Sequence, residues 1–309
     1  VLSTVISPPK VVHEALISRV KIMSGLDIAE RRLPQDGRIR LLVAGKDIDV
    51  SVSVVPTSFG ERAVLRLLDR KTGSLRLSDL GLSTTQVAAL EKLLNRNNGI
   101  ILSTGPTGSG KTTTLYAALN RINTEARNII TIEDPVEYQL RGVGQIQVNA
   151  KIGLTFASGL RSILRQDPDI IMVGEIRDIE TAEMAIQASL TGHLVLSTLH
   201  TNNAPSAVTR LVDMGGQAYL LSSSLTTVIA QRLVRVLCPK CKKEDVITDK
   251  EAALFAEPPK TLCKPAGCDA CLKTGYSGQT GIFEFLEVDN DLKTLMLKSP
   301  DSTTISAHA

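Results

Sequence analysis

Tryptophan is absent from this 309-residue chain, and aromatic residues amount to five Phe and four Tyr. Charge of one sign is scarce too: 35 Lys and Arg stand against 32 Asp and Glu, a formal net charge of +3. A groove for nucleic acid needs a strong basic excess and aromatic side chains on which bases stack, so composition argues against that partner. No apolar run approaches the length of a bilayer span, and no signal peptide opens the chain, so the expectation is a soluble cytoplasmic protein. Val1 stands where an initiator Met would, as in a fragment of a longer chain. Cysteine is sparse as well, five in all, and four of them fall in two C-x-x-C pairs. That pattern suggests a metal site in a reducing compartment rather than disulfides.

What is present divides into about two domains. Residues 1–70 read as a small α+β unit. Val12, Ala15, Leu16, Arg19, Val20 and Met23 share one face of a helix that Gly25 ends. Three strands follow, over 38–43, 47–55 and 61–68, the first two joined by a turn at 44–46. The second alternates strictly, with Ile48, Val50, Val52 and Val54 on one side and Asp47, Asp49, Ser51 and Ser53 on the other. Arg62 and Arg66 share a face of the third strand; a solvated surface is the plain reading, contact with a neighbouring subunit's phosphates the sharper one. A polar linker is placed at 71–80, and Ser83 or Thr84 would cap a helix striped by Val87, Leu90, Leu93 and Leu94.

Residues 81–309 read as an α/β domain organised around Gly105-Pro106-Thr107-Gly108-Ser109-Gly110-Lys111-Thr112, a G-x-x-x-x-G-K-T loop. An apolar run, Gly99 to Thr104, precedes it, and helical spacing from Thr113 follows it. Strand, glycine loop and helix together are what the motif needs: backbone N–H groups turn inward around phosphate, and the helix N-terminus adds positive potential. Lys111 would reach the β- and γ-phosphates of ATP, and the Thr112 hydroxyl would bind Mg²⁺. Alternating apolar strands and amphipathic helices from 99 to 237 imply a mostly parallel sheet, whose ligands gather at the carboxyl ends of strands. Three further strand ends carry Glu133, Glu175 and His200 to that edge. A carboxylate at one such end is as readily a helix cap, but three ends together favour a site for Mg²⁺ and a polarised water. Arg161 and Arg165, four apart, share a helix face; they are surface cations or phosphate partners, and spacing does not choose.

Near the carboxyl end, Cys238, Cys241, Cys268 and Cys271 supply four thiolates for a closed, structural Zn²⁺ site within a segment spanning 238–275. Unpaired core thiols are the alternative. Cys263 is left over as a spectator or a substitute for Cys268, and the Ser-, Thr- and Ala-rich tail carries no clear element.

Long contiguous stretches of the chain resemble the ATPases of bacterial type II secretion systems and type IV pilus assembly. The residues that carry the likeness are Leu26-Asp-Ile-Ala-Glu-Arg-Arg-Leu-Pro-Gln-Asp-Gly-Arg38, the glycine loop, Ile132-Glu-Asp-Pro-Val-Glu137, the run from Leu164 to Asp178, the run from Thr191 to Asn202, and Ala230 to Arg235. The resemblance implies a RecA-like P-loop ATPase core behind a small PAS-like domain. It implies that Glu133 orients or deprotonates the attacking water, that Glu175 holds Mg²⁺ through water, and that His193 and His200 sense the γ-phosphate. Arg66, Arg161 and Arg165 would bring positive charge to the nucleotide. Thr113 completes the nucleotide contacts. The family works as a homo-oligomeric, hexameric ring on the inner face of the bacterial inner membrane, where ATP turnover moves platform proteins. Retraction-type relatives lack the cysteine segment, so the resemblance points to an assembly motor, nearer secretion than pilus extension. Ser51 stands where many members of the family carry Arg, and Ser158 where some do. A nucleic-acid translocase sharing the same core, and a nucleotide-gated scaffold that hardly turns over, remain as other classes.

Overall fold

The computed structural model describes residues 4–43, 46–68, 75–298 and 301–308, and the chain divides into a unit of residues 1–74 and a unit of residues 75–309.

In the first unit helix α1 (His13–Met23) precedes strands β1 (Gln35–Val43), β2 (Lys46–Thr57) and β3 (Gly60–Leu68), an antiparallel sheet in the order β1-β2-β3. Alternation on β2 works as its spacing requires: Val50, Val52 and Val54 are buried, with Ile17 and Ile39 packed on them. The strands begin earlier than their apolar residues suggest, because Gln35 and Gly37 already pair with Val54 and Val52. The turn expected at 44–46 lies largely outside the described residues. Helix α1 shows a different face from the one expected: Leu16 and Met23 are exposed, whereas Ile17 and Lys21 are buried. The reason is Lys21, a residue that hydropathy assigns to solvent. Its ammonium is paired with Glu61 on β3 and donates to the Glu30 carbonyl at 2.7 Å. With that charge paired, the helix seats its Lys21 side against the sheet.

The second unit begins with a short 3-10 turn at Leu77–Leu80, whose Leu77 and Leu80 enter the core, so residues expected as linker are packed structure. Then come α2 (Thr84–Leu94), β4 (Gly99–Thr104), α3 (Lys111–Ile122), β5 (Ile129–Glu133), β6 (Gly144–Gln147), α4 (Phe156–Ile163), β7 (Ile170–Val173), α5 (Ile179–Leu190), β8 (Leu194–Leu199), α6 (Ala204–Asp213), α7 (Ala218–Ser224) and β9 (Leu225–Leu237). The small β10 (Lys243–Val246), α8 (Asp249–Ala252) and β11 (Thr261–Lys264) form an excursion before β12 (Tyr276–Glu287), α9 (Asn290–Lys298) and α10 (Ser302–His308). Ser83 caps α2, accepting from Gln86 N at 3.2 Å.

Seven strands make one sheet in the order β12-β9-β4-β8-β7-β5-β6, parallel except for the β12–β9 pair. Fully buried β4, β7 and β8 read as continuous apolar runs because both faces are covered. One face packs on α4, α5, α6, α7, α9 and α10, the other on α2, α3 and the first 3-10 turn. The antiparallel closing strand was hidden in sequence, since β9 and β12 run from core into exposed polar stretches. The tail is likewise helical rather than irregular, because fully buried Ile305 anchors α10 in the core.

Candidate nucleotide and metal sites

Four parallel strands, β4, β5, β7 and β8, deliver their carboxyl ends to one edge of the sheet, the edge where the glycine loop sits. The loop's shape is set by glycine. Gly105 has φ 144°, and a Cβ there would lie 2.3 Å from the Gln231 carbonyl. Gly110, the left-handed cap of α3, has φ 89° and would place a Cβ 2.8 Å from Gln231 Nε2. Gly108 also has positive φ, 78°, but faces open space. A loop that packs tightly on β9 and stays open on its other side is a cradle for a compact anion.

Lys111 is buried within this cradle and donates to the carbonyls of Gly105 at 2.8 Å and Pro106 at 3.1 Å. Burial pushes its ammonium pKa down, and the charge of Glu175 holds it up. Beside it the Ser109 hydroxyl is buried with no hydrogen-bond partner among the described residues. An orphaned hydroxyl and a buried ammonium on one glycine loop fit a phosphate chain with its several acceptor oxygens. Thr112 and Thr113 follow in the first turn of α3, both half-buried.

Glu175, two residues past the end of β7, meets Arg177 at 2.5 Å and His200 Nε2 at 3.4 Å. His200 follows β8, and the loop after it is tied to β4 by the Thr104 and Thr201 hydroxyls, 2.7 Å apart. Lys111, Glu175 and His200 thus converge. Thr112 and Glu175 are hard oxygen donors of the type that Mg²⁺ takes.

Glu133 ends β5, the neighbour of β7, with Ile132 opposite Val173. Its side chain turns to the α3 face and is buried. Tyr116 on α3 donates to Oε2, and Oε1 accepts from Thr131 at 2.5 Å and Gln145 at 3.1 Å. Burial raises its pKa, and the three donors work against that rise. Sequence reading did not single out Tyr116, Gln145 or Gln231. The signal was present only as a Tyr inside the apolar stripe of α3 and as two Gln on strands.

Within the second unit, other expected contacts are not brought to the loop. His193 precedes β8, and the strand's length separates it from His200 by about 23 Å at roughly 3.3 Å per residue. Its ring lies 2.9 Å from the Ala188 carbonyl, so within one chain it serves the opposite edge. Arg161 is exposed and paired with Glu180 at 2.9 Å; Arg165 donates to the Arg161 carbonyl at 3.0 Å. Ser158 belongs to the capping box of α4 with Thr155. Arg66 is exposed in the first unit, in register with Ser51, which pairs with Arg38 on its other side. Asp178 is the N-cap of α5, accepting from Thr181 N at 2.8 Å.

The four cysteines form a separate centre. Leu237 on β9 pairs with Tyr276 on β12, which brings both C-x-x-C turns to one end of that pair. All four Sγ atoms lie within 4.8 Å of one another. Separations are 4.0 Å for Cys238–Cys268, and 3.8 Å for both Cys241–Cys271 and Cys268–Cys271. Zn–S bonds of about 2.3 Å in a tetrahedron give S···S edges of about 3.8 Å, close to these three separations, so the four thiols are spaced to hold a metal ion such as Zn²⁺. The backbone N–H groups of Cys268 and Gly275 donate to Cys271 Sγ, each at 3.2 Å, and chiefly the Cys268 amide pulls that thiol down to about 6. Cys263, exposed on β11 opposite Glu244, stands outside the cluster.

A mostly parallel α/β sheet whose carboxyl edge carries a G-x-x-x-x-G-K-T loop beside a converging acid and imidazole is the architecture of the P-loop nucleotide-binding class. The family model for type II/IV secretion system proteins matches residues 1–309, and the chain belongs to that family. It is 54% identical to "Type II secretion system protein E" of Pseudomonas aeruginosa, over all of this chain and 62% of that protein. It is 52% identical to "Type II secretion system ATPase E" of Vibrio cholerae, again over all of this chain and 62% of the relative. The chain therefore spans less than two thirds of the length of these relatives. Among solved structures, the pilus retraction motor PilT with bound ADP superposes with a TM-score of 0.66 at 31% identity, covering 90% of this chain and 70% of that one. The Legionella pneumophila ATPase DotB shares the fold at a TM-score of 0.62 and 24% identity. Among the described residues, no helix is long and apolar enough to cross a membrane.

Proposed function

We propose that this chain is the ATP-hydrolysing part of a type II secretion motor: a RecA-like core behind a small PAS-like unit, cycling ATP and water to ADP and phosphate. One observation carries the reading. A buried Lys111 ammonium and a buried, partnerless Ser109 hydroxyl share one glycine loop at the carboxyl edge of the parallel strands, the edge to which Glu175 also comes. Backbone amides of Gly108 to Thr112 would cradle the β- and γ-phosphates, Ser109 Oγ would gain its missing partner, and Lys111 would exchange two carbonyls for phosphate oxygens. Thr112 and Glu175 would hold Mg²⁺, which neutralises developing charge on the phosphoryl oxygens. Glu133 would accept a proton from the attacking water as the γ-phosphoryl bond to the β-phosphate oxygen breaks. His200, against Glu175, would report which nucleotide is bound.

The remaining assignments concern assembly. Arg66, Arg161, Arg165 and His193 are offered to a neighbouring subunit's nucleotide in a homo-oligomeric ring, six-membered as in the resemblance. That ring would sit on the cytoplasmic face of the inner membrane through platform proteins, with Zn²⁺ in the Cys238, Cys241, Cys268 and Cys271 site. Relatives named for type II secretion reach 52–58% identity, against 31% for the pilus retraction motor, which favours export over pilus movement. Steady-state phosphate release with Mg²⁺ and ATP tests the reading. Lys111→Ala is expected to drop it by at least about 10²-fold, as removal of one preorganised cation does, with an unchanged circular dichroism spectrum. Near-parental turnover in that variant would reject the site.

A further inference from the structure

We propose that Tyr116 is the positioning residue for Glu133: its phenol, carried on the phosphate-loop helix, fixes the carboxylate and keeps it ionised for its work as a base. This rests on the role of Glu133 given above.

The geometry fixes the direction of the key proton. Tyr116 is fully buried and its hydroxyl touches Glu133 Oε2, the Glu137 backbone N–H at 3.3 Å and Gln145 Nε2 at 3.3 Å. The two nitrogens are donors only, so the single phenolic proton goes to the carboxylate. Gln145 is oriented in turn, accepting from Leu140 N at 2.7 Å and donating to the Tyr138 carbonyl at 3.1 Å. The Tyr116 ring stands edge-on to Tyr138, centroids 4.5 Å apart, so the ring is held independently of its hydroxyl. Four residues before Tyr116 on the same helix is Thr112, one helical turn toward the phosphates. The base and the phosphate cradle are therefore tied to one rigid element.

The carboxylate needs this support. A desolvated Glu drifts toward its neutral form, which takes no proton from water. The ionisable groups facing it are Tyr116 from α3, and Glu137 and Tyr138 from the loop after β5, of which Glu137 raises its pKa further. On the neighbouring strands, β6 offers neutral Gln145 and the end of β7 offers Gly174. Oε2 has the phenol as its one donor among the described side chains, whereas Oε1 has two.

The test is the pH profile of kcat for Tyr116→Phe, which keeps the ring and its packing. The acid limb is expected to move up by about one pH unit or more, as befits one lost hydrogen bond to a charged group, with a smaller change at the alkaline plateau. A uniform drop at every pH with the limb in place would overturn the proposal and leave Tyr116 a packing residue. Replacing Tyr116 with 3-fluorotyrosine, a stronger donor of nearly the same shape, serves if the Phe variant folds poorly. It is expected to move the limb down, and no movement or the opposite sign would overturn the idea. Glu133→Gln is measured alongside. Full turnover there rejects the base assignment itself, whereas a dead Glu133→Gln with an unshifted Tyr116→Phe limb rejects only the inference.

Discussion

Thr114 on α3 donates its hydroxyl to Gln231 Oε1 on β9 at 2.7 Å, across 117 residues of sequence, and both side chains are buried. The same glutamine lies against two glycines of the phosphate loop. Gln231 is therefore the rear wall of the cradle, and β9 braces the loop as well as extending the sheet.

Gln231→Ala is expected to destabilise the second unit by about 1–3 kcal/mol, because it leaves the Thr114 hydroxyl buried without its acceptor. Gly105→Ala is expected to be worse, since its methyl would meet the backbone of β9, whereas Gly108→Ala has room and meets only the cost of a left-handed residue, about 1 kcal/mol. Guanidinium unfolding of the three variants checks this ranking.

Glu133→Gln separates stability from activity. Burial raises the Glu133 pKa above its unfolded value near 4.3. A raised carboxyl contributes stability that is complete below the unfolded value and is lost as pH rises through the folded one. The variant removes that dependence, so relative to the parent chain it is expected to gain more stability at pH 8 than at pH 4. Unfolding midpoints at those two pH values give the comparison, and a gain confined to pH 4 would contradict the burial argument.

In the first unit, the Lys21–Glu61 pair sets which side of α1 meets the sheet. Lys21→Ala leaves Glu61 without its cation and is expected to cost about 3–5 kcal/mol. Replacing both, Lys21→Met with Glu61→Leu, is expected to recover most of that loss. Thermal unfolding of the single and double variants measures the coupling.

Zinc content should be one ion per chain by atomic absorption, falling in Cys238→Ser and unchanged in Cys263→Ser. Chelation is expected to loosen hydrogen-exchange protection in β10 and β11 by more than that of β4. The four cysteines flank the excursion, so a bound ion would tie its two ends, while β4 lies in the apolar core.

Much was legible in the residues themselves. The glycine loop, the alternation of β2, the caps of α2 and the two cysteine pairs are local patterns, and each is governed by backbone sterics or side-chain period acting over a few residues. Tertiary structure decided the rest. His193 and His200 are seven positions apart, yet only pairing of β8 into a parallel sheet sends one to the phosphate edge and the other to the far side. Lys21 enters a core and Glu133 turns inward because partners from distant elements, Glu61 and Tyr116, make burial of their charges tolerable. A periodicity reads one element at a time, and such pairings join two.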